Sequence, residues 1–116
     1  MNIERIEPGQ RFAAAVKHNG VVYIAGQTAD TVKGSIEQQT REVLGKIDDL
    51  LAKAGTSKAK LLSVNVYLAH ITDFAAMNAV YDEWLDKANM PVRATVEARL
   101  AFPDLRVEMT AVAAAD

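Results

Sequence analysis

The sequence contains no cysteine, only three prolines and two histidines, and no apolar run long enough to cross a bilayer. The missing cysteines exclude disulfides, thiolate metal ligands and a cysteine nucleophile. Two isolated histidines without a neighbouring carboxylate pattern do not indicate a zinc site. The first residues carry acidic groups rather than an apolar segment, so they do not indicate a signal peptide. We therefore expect a cytoplasmic protein with no metal and no membrane contact.

Strong charge of one sign is also missing, because the formal net charge is only −2. This net charge argues against binding of nucleic acid or an anionic membrane that is driven by net charge, and it leaves a local basic patch open. No glycine-rich phosphate loop and no serine-centred nucleophile motif is present, and we expect no cofactor. Half of the 116 residues are hydrophobic and 24% are charged. That composition predicts one domain over residues 1–116, large enough for a real core but not for two.

The hydrophobic pattern predicts three strands, a helix, a strand, a second helix and two further strands. Alternating polar and apolar residues indicate the strands, and Asn19-Gly20 predicts a tight hairpin between two of them. Ser35 with Gln38 forms a capping box at the start of the first helix. Asp73 or Thr72 caps the second helix. The predicted strands are 3–7, 11–18, 21–27, 60–69, 91–100 and 106–112. The first predicted helix begins at residue 35 and stops at Gly55. The second begins at residue 72 or 73 and stops at Asn89 and Pro91.

Strands with two amphipathic helices predict an α+β fold in which both helices cover one face of a single sheet. The opposite face then carries mixed polar and apolar residues and is a candidate subunit interface. The residues expected there are Thr95, Glu97, Arg99, Arg106, Glu108 and Thr110, with Val22, Ile24 and Tyr67 as further candidates.

Arg93 and Glu108 begin the last two predicted strands. The break at residues 101–105 contains a proline and an aspartate and is short enough for a hairpin-like connection, so we expect the two strands to be neighbours. A guanidinium and a carboxylate close together on a sheet suggest a site for a small carboxylated molecule. The alternative is a structural ion pair between the two residues, either on the sheet or across a subunit boundary, and spacing alone favours that alternative.

Four segments, in a fixed order and spacing, carry a resemblance to a known family. They are Tyr23-Ile24-Ala25-Gly26-Gln27, Asp73-Phe74-Ala75-Ala76-Met77-Asn78, Pro91-Val92-Arg93-Ala94-Thr95-Val96 and Val107-Glu108. Together they span most of the chain, which resembles the small trimeric reactive-intermediate deaminases, the RidA or YjgF/YER057c/UK114 family, and especially its YoaB-like branch.

The resemblance implies a chorismate-mutase-like α+β fold that assembles as a homotrimer, with a barrel-like core and a cleft between each pair of subunits. It also implies hydrolysis of reactive 2-imino acids and enamines to 2-oxo acids and ammonia, without metal or organic cofactor. By the same resemblance, Arg93 clamps the substrate carboxylate and Glu108 orders the attacking water. A planar imino acid suits these roles, because guanidinium matches a carboxylate with two parallel hydrogen bonds.

Four further residues are candidates for substrate binding. Asn78 lies within the apolar stripe of the second helix, where a buried amide needs hydrogen-bond partners. The resemblance places Asn78 near the cleft. A structural hydrogen bond to a strand carbonyl is an equally favoured alternative. Gly26 allows the close approach of a ligand or backbone, or serves only a bulge. Phe12 stands where many members have tyrosine, and core packing is favoured for it. Thr95 stands where cysteine is common, and Ala25 replaces a serine.

Two other functions stay open. The first is a non-catalytic homotrimer that binds a small carboxylated metabolite through Arg93. The second is the ribonuclease activity ascribed to some relatives, which the acidic charge balance and the lack of a suitably placed histidine make less favourable. Glu97 is interpreted as a partner of Arg99 or Arg106 rather than as a catalytic group.

Overall fold

Six strands form one open sheet with two α-helices on one of its faces, in a computed structural model that describes residues 2–115. This confirms the predicted α+β class and element order. The strands are β1 (Glu4–Pro8), β2 (Ala13–His18), β3 (Val21–Thr28), β4 (Leu61–Leu68), β5 (Val92–Glu97) and β6 (Val107–Ala114). The helices are α1 (Ile36–Lys53) and α2 (Phe74–Trp84), and short 3₁₀ turns cover Lys58–Lys60 and Ile71–Asp73. Neither α-helix is long and apolar enough to cross a membrane.

The strand order in the sheet is β1-β2-β3-β6-β4-β5. The prediction that β5 and β6 are neighbours is therefore wrong, because β4 lies between them. β4 and β5 are connected through α2, and a connection of that length allows them to pair in parallel. The segment at residues 98–106 then passes the end of β4 before the chain enters β6, which pairs antiparallel with β4. A short break between two alternating runs fits this crossover as well as it fits a hairpin.

Local sequence signals predicted two of three element boundaries correctly. Asn19 and Gly20 have φ angles of 52° and 74°, the left-handed pair that a tight hairpin turn requires, which confirms the predicted hairpin. The N–H of Gln38 donates to Oγ of Ser35 over 3.1 Å, so the predicted start of α1 is confirmed. The end of α2 is different: the helix stops at Trp84 and Leu85 is extended, several residues before the predicted stop at Asn89 and Pro91.

The core lies between the helices and the sheet face that they cover. Fully buried side chains alternate along the central strands and recur on α1: Val22, Val43, Ile47, Val64, Val66, Leu68, Val107 and Met109. Burying a side chain of this kind contributes roughly 1.5–3 kcal/mol, so this layer supplies most of the stability. Val22 and Ile24 belong to it, and the expectation that they lie on the opposite face is wrong.

The opposite face of the sheet is not covered by any element within residues 2–115. Glu108, Thr110 and Tyr67 lie on it, because they alternate with buried core residues of β6 and β4. Three large apolar side chains on it are exposed: Tyr23 (52%), Val92 (71%) and Val96 (48%). The expectation that Thr95 and Glu97 lie on this uncovered face is wrong. The register between β5 and β4 places them beside the buried Val66 and Leu68, on the face that the helices cover.

Candidate active site

Arg93 lies on the edge strand β5 and points toward α2. Its register partner on β4 is the buried Val64, which fixes its side chain on the helix-covered face. The guanidinium carbon lies 4.8 Å from the ring centroid of Tyr81 and 5.8 Å from that of Phe74. Such contacts hold an arginine by about 0.5–2 kcal/mol each without using its hydrogen-bond donors. Within residues 2–115 no carboxylate pairs with Arg93, so its fork of N–H donors is free.

Two polar atoms near this arginine are buried without a hydrogen-bond partner in residues 2–115, Oδ1 of Asn78 and Oγ1 of Thr95. Asn78 shares a face of α2 with the two aromatic residues that hold Arg93, since they are spaced by four and three residues. Thr95 follows Arg93 by two positions and shares its strand face. A buried polar atom left unpaired costs about 1–3 kcal/mol, so two in one place indicate a site that is completed by something else. The alternative of a bond from Asn78 to a strand carbonyl finds no support in the described chain.

Tyr81 forms the floor of this region. It is 4% exposed, and burial raises the pKa of its phenol, while the charge of Arg93 acts in the opposite direction. The hydroxyl therefore stays neutral at physiological pH. A neutral phenol leaves Arg93 as the uncompensated positive charge between β5 and α2, which favours a bound anion. We call Arg93, Asn78, Thr95, Phe74 and Tyr81 the clamp cluster.

Glu108 lies near the start of β6, on the sheet face away from the helices, packed against Gly26. A Cβ added at Gly26 would overlap the Glu108 carboxylate and lie 3.0 Å from its Cδ. The register between β3 and β6 shifts between Ile24 and Gln27, so Gly26 sits in a bulge. The predicted bulge at Gly26 is therefore confirmed. Within residues 2–115 the group closest to Gly26 is the carboxylate of Glu108 rather than a backbone, and the approach of a ligand stays a prediction.

Arg93 and Glu108 point to opposite faces of the sheet and are separated by β4. The expectation that they lie side by side on one sheet surface is therefore wrong, and so is the alternative of an ion pair between them within the chain. The physical reason is strand alternation: Arg93 is in register with a buried residue of β4, whereas Glu108 is in register with Tyr67, which lies on the uncovered face. One copy of the chain cannot bring both groups to the same small molecule.

Phe12 is 69% exposed in the turn between β1 and β2, so the favoured interpretation of core packing is wrong. It borders a hollow of about 390 Å³ that is lined by residues of the same turn, by Glu7 of β1 and by Ala14 of β2. Its place next to the start of β2 puts it at the same end of the sheet as Gly26 and Glu108, and at the opposite edge from Arg93. Ala25 lies in the bulge beside Gly26.

The remaining candidates have local partners. Glu97 accepts a hydrogen bond from the N–H of Ile71 over 2.9 Å, so it pairs with neither of the two arginines considered for it. His18 lies at the hairpin end of the sheet and His70 at the other end of β4, too far apart to act as a pair in one chain. Within residues 2–115 no group of three metal-ligating side chains comes together.

Sequence reasoning missed a buried polar network at the start of β6. Arg106 forms a two-pronged ion pair with Asp73, and its backbone N–H donates to the side chain of Gln39, which is 0% exposed. The available signal was Gln39 itself, a glutamine at a helix position between apolar Ile36 and Val43.

Comparison with known proteins shows similarity along the whole described chain. The model of the family described as Endoribonuclease L-PSP matches residues 2–115. A RutC family protein of Haemophilus influenzae is 44% identical over 97% of this chain and 98% of its own length. The RutC family protein YoaB of Escherichia coli is 38% identical over 98% and 99%. A crystal structure of a YjgF family member from Neisseria meningitidis superimposes with a TM-score of 0.96, at 37% identity, over 100% of this chain and 97% of that one.

Proposed function

Since the chain belongs to the YjgF/YER057c/UK114 family, whose members are also named RutC proteins, we propose that it is a cytoplasmic deaminase of reactive 2-imino acids and enamines. The products are the 2-oxo acid and ammonia. The working form is a homotrimer with its sites between subunits, and no cofactor takes part.

The observation that carries this proposal is the clamp cluster. Arg93 lies against two aromatic rings, and within residues 2–115 its N–H donors, Oδ1 of Asn78 and Oγ1 of Thr95 have no hydrogen-bond partner. A guanidinium prearranged in this way binds a planar carboxylate with two parallel hydrogen bonds and loses little freedom in doing so. The hydroxyl of Thr95 and the amide of Asn78 then bind the polar atoms next to that carboxylate. A purely apolar ligand would leave all three groups unpaired, and an uncharged polar ligand would leave the charge of Arg93 without a counter-charge.

Glu108 supplies the second half of the chemistry. With the carboxylate of a 2-imino acid held by Arg93, the protonated imine carbon is electrophilic and needs a positioned water. Glu108 accepts a proton as that water adds to the carbon, and returns it to the nitrogen. As the C–N bond of the carbinolamine breaks, its hydroxyl gives a proton to Glu108, which leaves the 2-oxo acid; that proton passes to the released ammonia, and Glu108 is a free carboxylate again. General acid–base help of this kind is worth roughly 10²- to 10⁴-fold in rate.

Assembly follows from the opposite orientation of these two groups. A site that contains both must take its clamp cluster from one subunit and its Glu108 from another, because they lie on different faces of the sheet. The uncovered face that carries Glu108 also exposes Tyr23, Val92 and Val96. Burial of such a face between copies of the chain is favourable. In a closed ring of subunits, each cleft then contains the clamp cluster of one subunit and the Glu108 of its neighbour.

The test is a coupled assay in which an amino-acid oxidase releases a 2-imino acid and its loss is followed with and without the protein. We expect the wild type to accelerate the loss and Arg93→Ala to abolish the acceleration. Arg41→Ala, which removes an exposed arginine from α1, is the matched control and should behave like the wild type. Equal acceleration by Arg93→Ala and wild type would refute the proposed role of the clamp.

One observation also favours the second candidate, a trimer that binds a carboxylated metabolite without converting it. The clamp cluster is complete within one chain, whereas catalysis needs Glu108 from another. The two functions separate in the same experiment: binding of pyruvate by calorimetry, lost in Arg93→Ala, without turnover of small, branched or aromatic imino acids would establish the binding protein instead.

Ribonuclease activity, which the family description names, has less support in this chain. Its two histidines lie at opposite ends of the sheet and its net charge is −2. RNA left intact by the nuclease-free protein would exclude that activity.

A further inference from the structure

Asp73 and Arg106 form an ion pair that the proposed mechanism does not use. Nε of Arg106 donates to Oδ2 of Asp73 over 3.2 Å, and Nη2 donates to Oδ1 over 3.0 Å. The side chain of Asp73 is only 12% exposed and that of Arg106 is 38% exposed. Two parallel bonds at this degree of burial fix the relative orientation of the segments that carry them, which an exposed single-contact pair does not.

The pair replaces a helix cap. Asp73 occupies the N-cap position of α2, yet its side chain makes no capping hydrogen bond. Aspartate at this position normally stabilises a helix by about 1 kcal/mol through such a bond. The 3₁₀ turn at Ile71–Asp73 runs directly into α2, and the carboxylate reaches Arg106 instead. The chain therefore uses its preferred capping residue for a tertiary contact between α2 and the start of β6.

Arg106 is itself anchored by its backbone. Its N–H donates to Oε1 of Gln39 over 2.8 Å, and its carbonyl accepts the N–H of Ala69 over 3.0 Å. Gln39 is 0% exposed, and its Nε2 lies 3.0–3.1 Å from three backbone carbonyls, those of Val32, Gly34 and Asp104. Arg106 is thus a rigid point, two residues before Glu108.

We propose that Asp73 and Arg106 are positioning residues, an inference that rests on the proposed function. Asp73 directly precedes Phe74, which holds Arg93, and lies just over one turn before Asn78. Arg106 sets the start of β6 and with it Glu108. In the proposed trimer each subunit contributes its clamp cluster to one cleft and its Glu108 to another cleft. The Asp73–Arg106 ion pair fixes the distance between these two groups within the subunit. Loss of the pair displaces both groups.

Three readouts on folded, assembled protein test this proposal: kcat and KM for an imino acid, the Kd of pyruvate, and the NMR resonance of the Arg93 Nε–H. In Asp73→Asn we expect kcat to fall roughly 10- to 100-fold, because displacements of about 1 Å have effects of that size. Kd should rise as well, and the Arg93 resonance should lose the ring-current shift from Tyr81 and Phe74. Arg106→Lys keeps the charge but loses the two-pronged contact, so it should show smaller changes of the same kind.

Asp30→Asn is the matched control, since it breaks the exposed Asp30–Lys46 pair, which has no link to the clamp cluster. It should match the wild type in all three readouts. A merely structural role of the Asp73–Arg106 pair would lower Tm and leave Kd, kcat and the Arg93 resonance of folded protein unchanged, and that result would overturn the proposal. If Asp73→Asn does not fold, Arg106→Lys carries the same measurements.

The double variant Asp73→Asn/Arg106→Gln, measured beside the single variants Asp73→Asn and Arg106→Gln, provides a further check. Either single substitution already breaks the Asp73–Arg106 contact, and the second substitution has no further contact to remove. The changes in kcat, Kd and the Arg93 resonance should therefore be no larger in the double variant than in the more severe single variant. Additive losses would overturn the proposal. Absence of turnover in the wild type would count against the proposed function alone, since the Arg93 resonance needs no ligand and still decides whether the pair positions the clamp.

Discussion

The two halves of the candidate site differ in how much of each a single chain completes. The clamp cluster between β5 and α2 has its arginine held by two rings and its unpaired polar atoms already buried. Glu108 lies on the uncovered face of the sheet, which also exposes apolar side chains, and within residues 2–115 its carboxylate packs against Gly26. The first half is therefore ready to bind, and the second needs another copy of the chain.

This difference separates binding from catalysis in a way that mutations can test. Changes to the clamp cluster should act on the affinity for carboxylated ligands, whatever the state of Glu108. Changes around Glu108 should act on turnover and leave affinity unchanged. This separation of binding from catalysis would be refuted if changes to either half altered ligand affinity and turnover equally.

Glu108→Gln should have the largest effect. The amide keeps the size of the side chain but cannot accept the proton of the attacking water, so we expect kcat to fall by roughly 10²- to 10⁴-fold. The Kd of pyruvate should not change. Stopped-flow loss of imine and calorimetry measure the two quantities, and Glu83→Gln, on the exposed side of α2, is the control. A parallel loss of affinity would place Glu108 in binding rather than in proton transfer.

Much of the fold was predictable because it depends on local patterns. The alternation of β4 and the stripe of α1 place their buried residues correctly, and the signals at Asn19-Gly20 and Ser35 define their turn and helix start. The neighbours of β5 were not predictable in this way. A short connection between two strands fits both a hairpin and a crossover past a third strand, and only pairing with β4 distinguishes them.

The candidate site shows the same limit. Periodicity correctly placed Arg93 and Thr95 on one face, but it could not tell which face of β5 the helices cover. That ambiguity, together with the unexpected position of β4 between β5 and β6, produced the wrong expectation of an adjacent Arg93 and Glu108. Phe12 was misplaced because the predicted strand begins at residue 11, whereas β2 begins at Ala13 and leaves Phe12 exposed in the preceding turn.

Thr95→Val should have an intermediate effect, confined to the binding half. Oγ1 of Thr95 is buried without a partner in residues 2–115, so replacing it by a methyl group removes an uncompensated cost. We expect the free protein to gain about 1 kcal/mol of stability, and pyruvate to bind roughly tenfold more weakly, because the ligand loses one hydrogen bond. Thermal unfolding and calorimetry give the two numbers. A fall in stability would mean that the hydroxyl is bonded across a subunit boundary.

Gly45→Ala should have the smallest effect, and it should increase the free energy of unfolding, whereas most substitutions decrease it. A Cβ at Gly45 in the middle of α1 would meet nothing within 4 Å, whereas a Cβ at Gly26 would strike the Glu108 carboxylate. Alanine at Gly45 should therefore only improve helix propensity and raise the free energy of unfolding by about 1 kcal/mol, with kcat and Kd unchanged. Gly26→Ala should instead lower kcat by displacing Glu108. Loss of stability in Gly45→Ala, measured by denaturant unfolding of the assembled protein, would show that another copy of the chain packs against the groove between α1 and α2. The uncovered sheet face would then not be the sole contact between subunits.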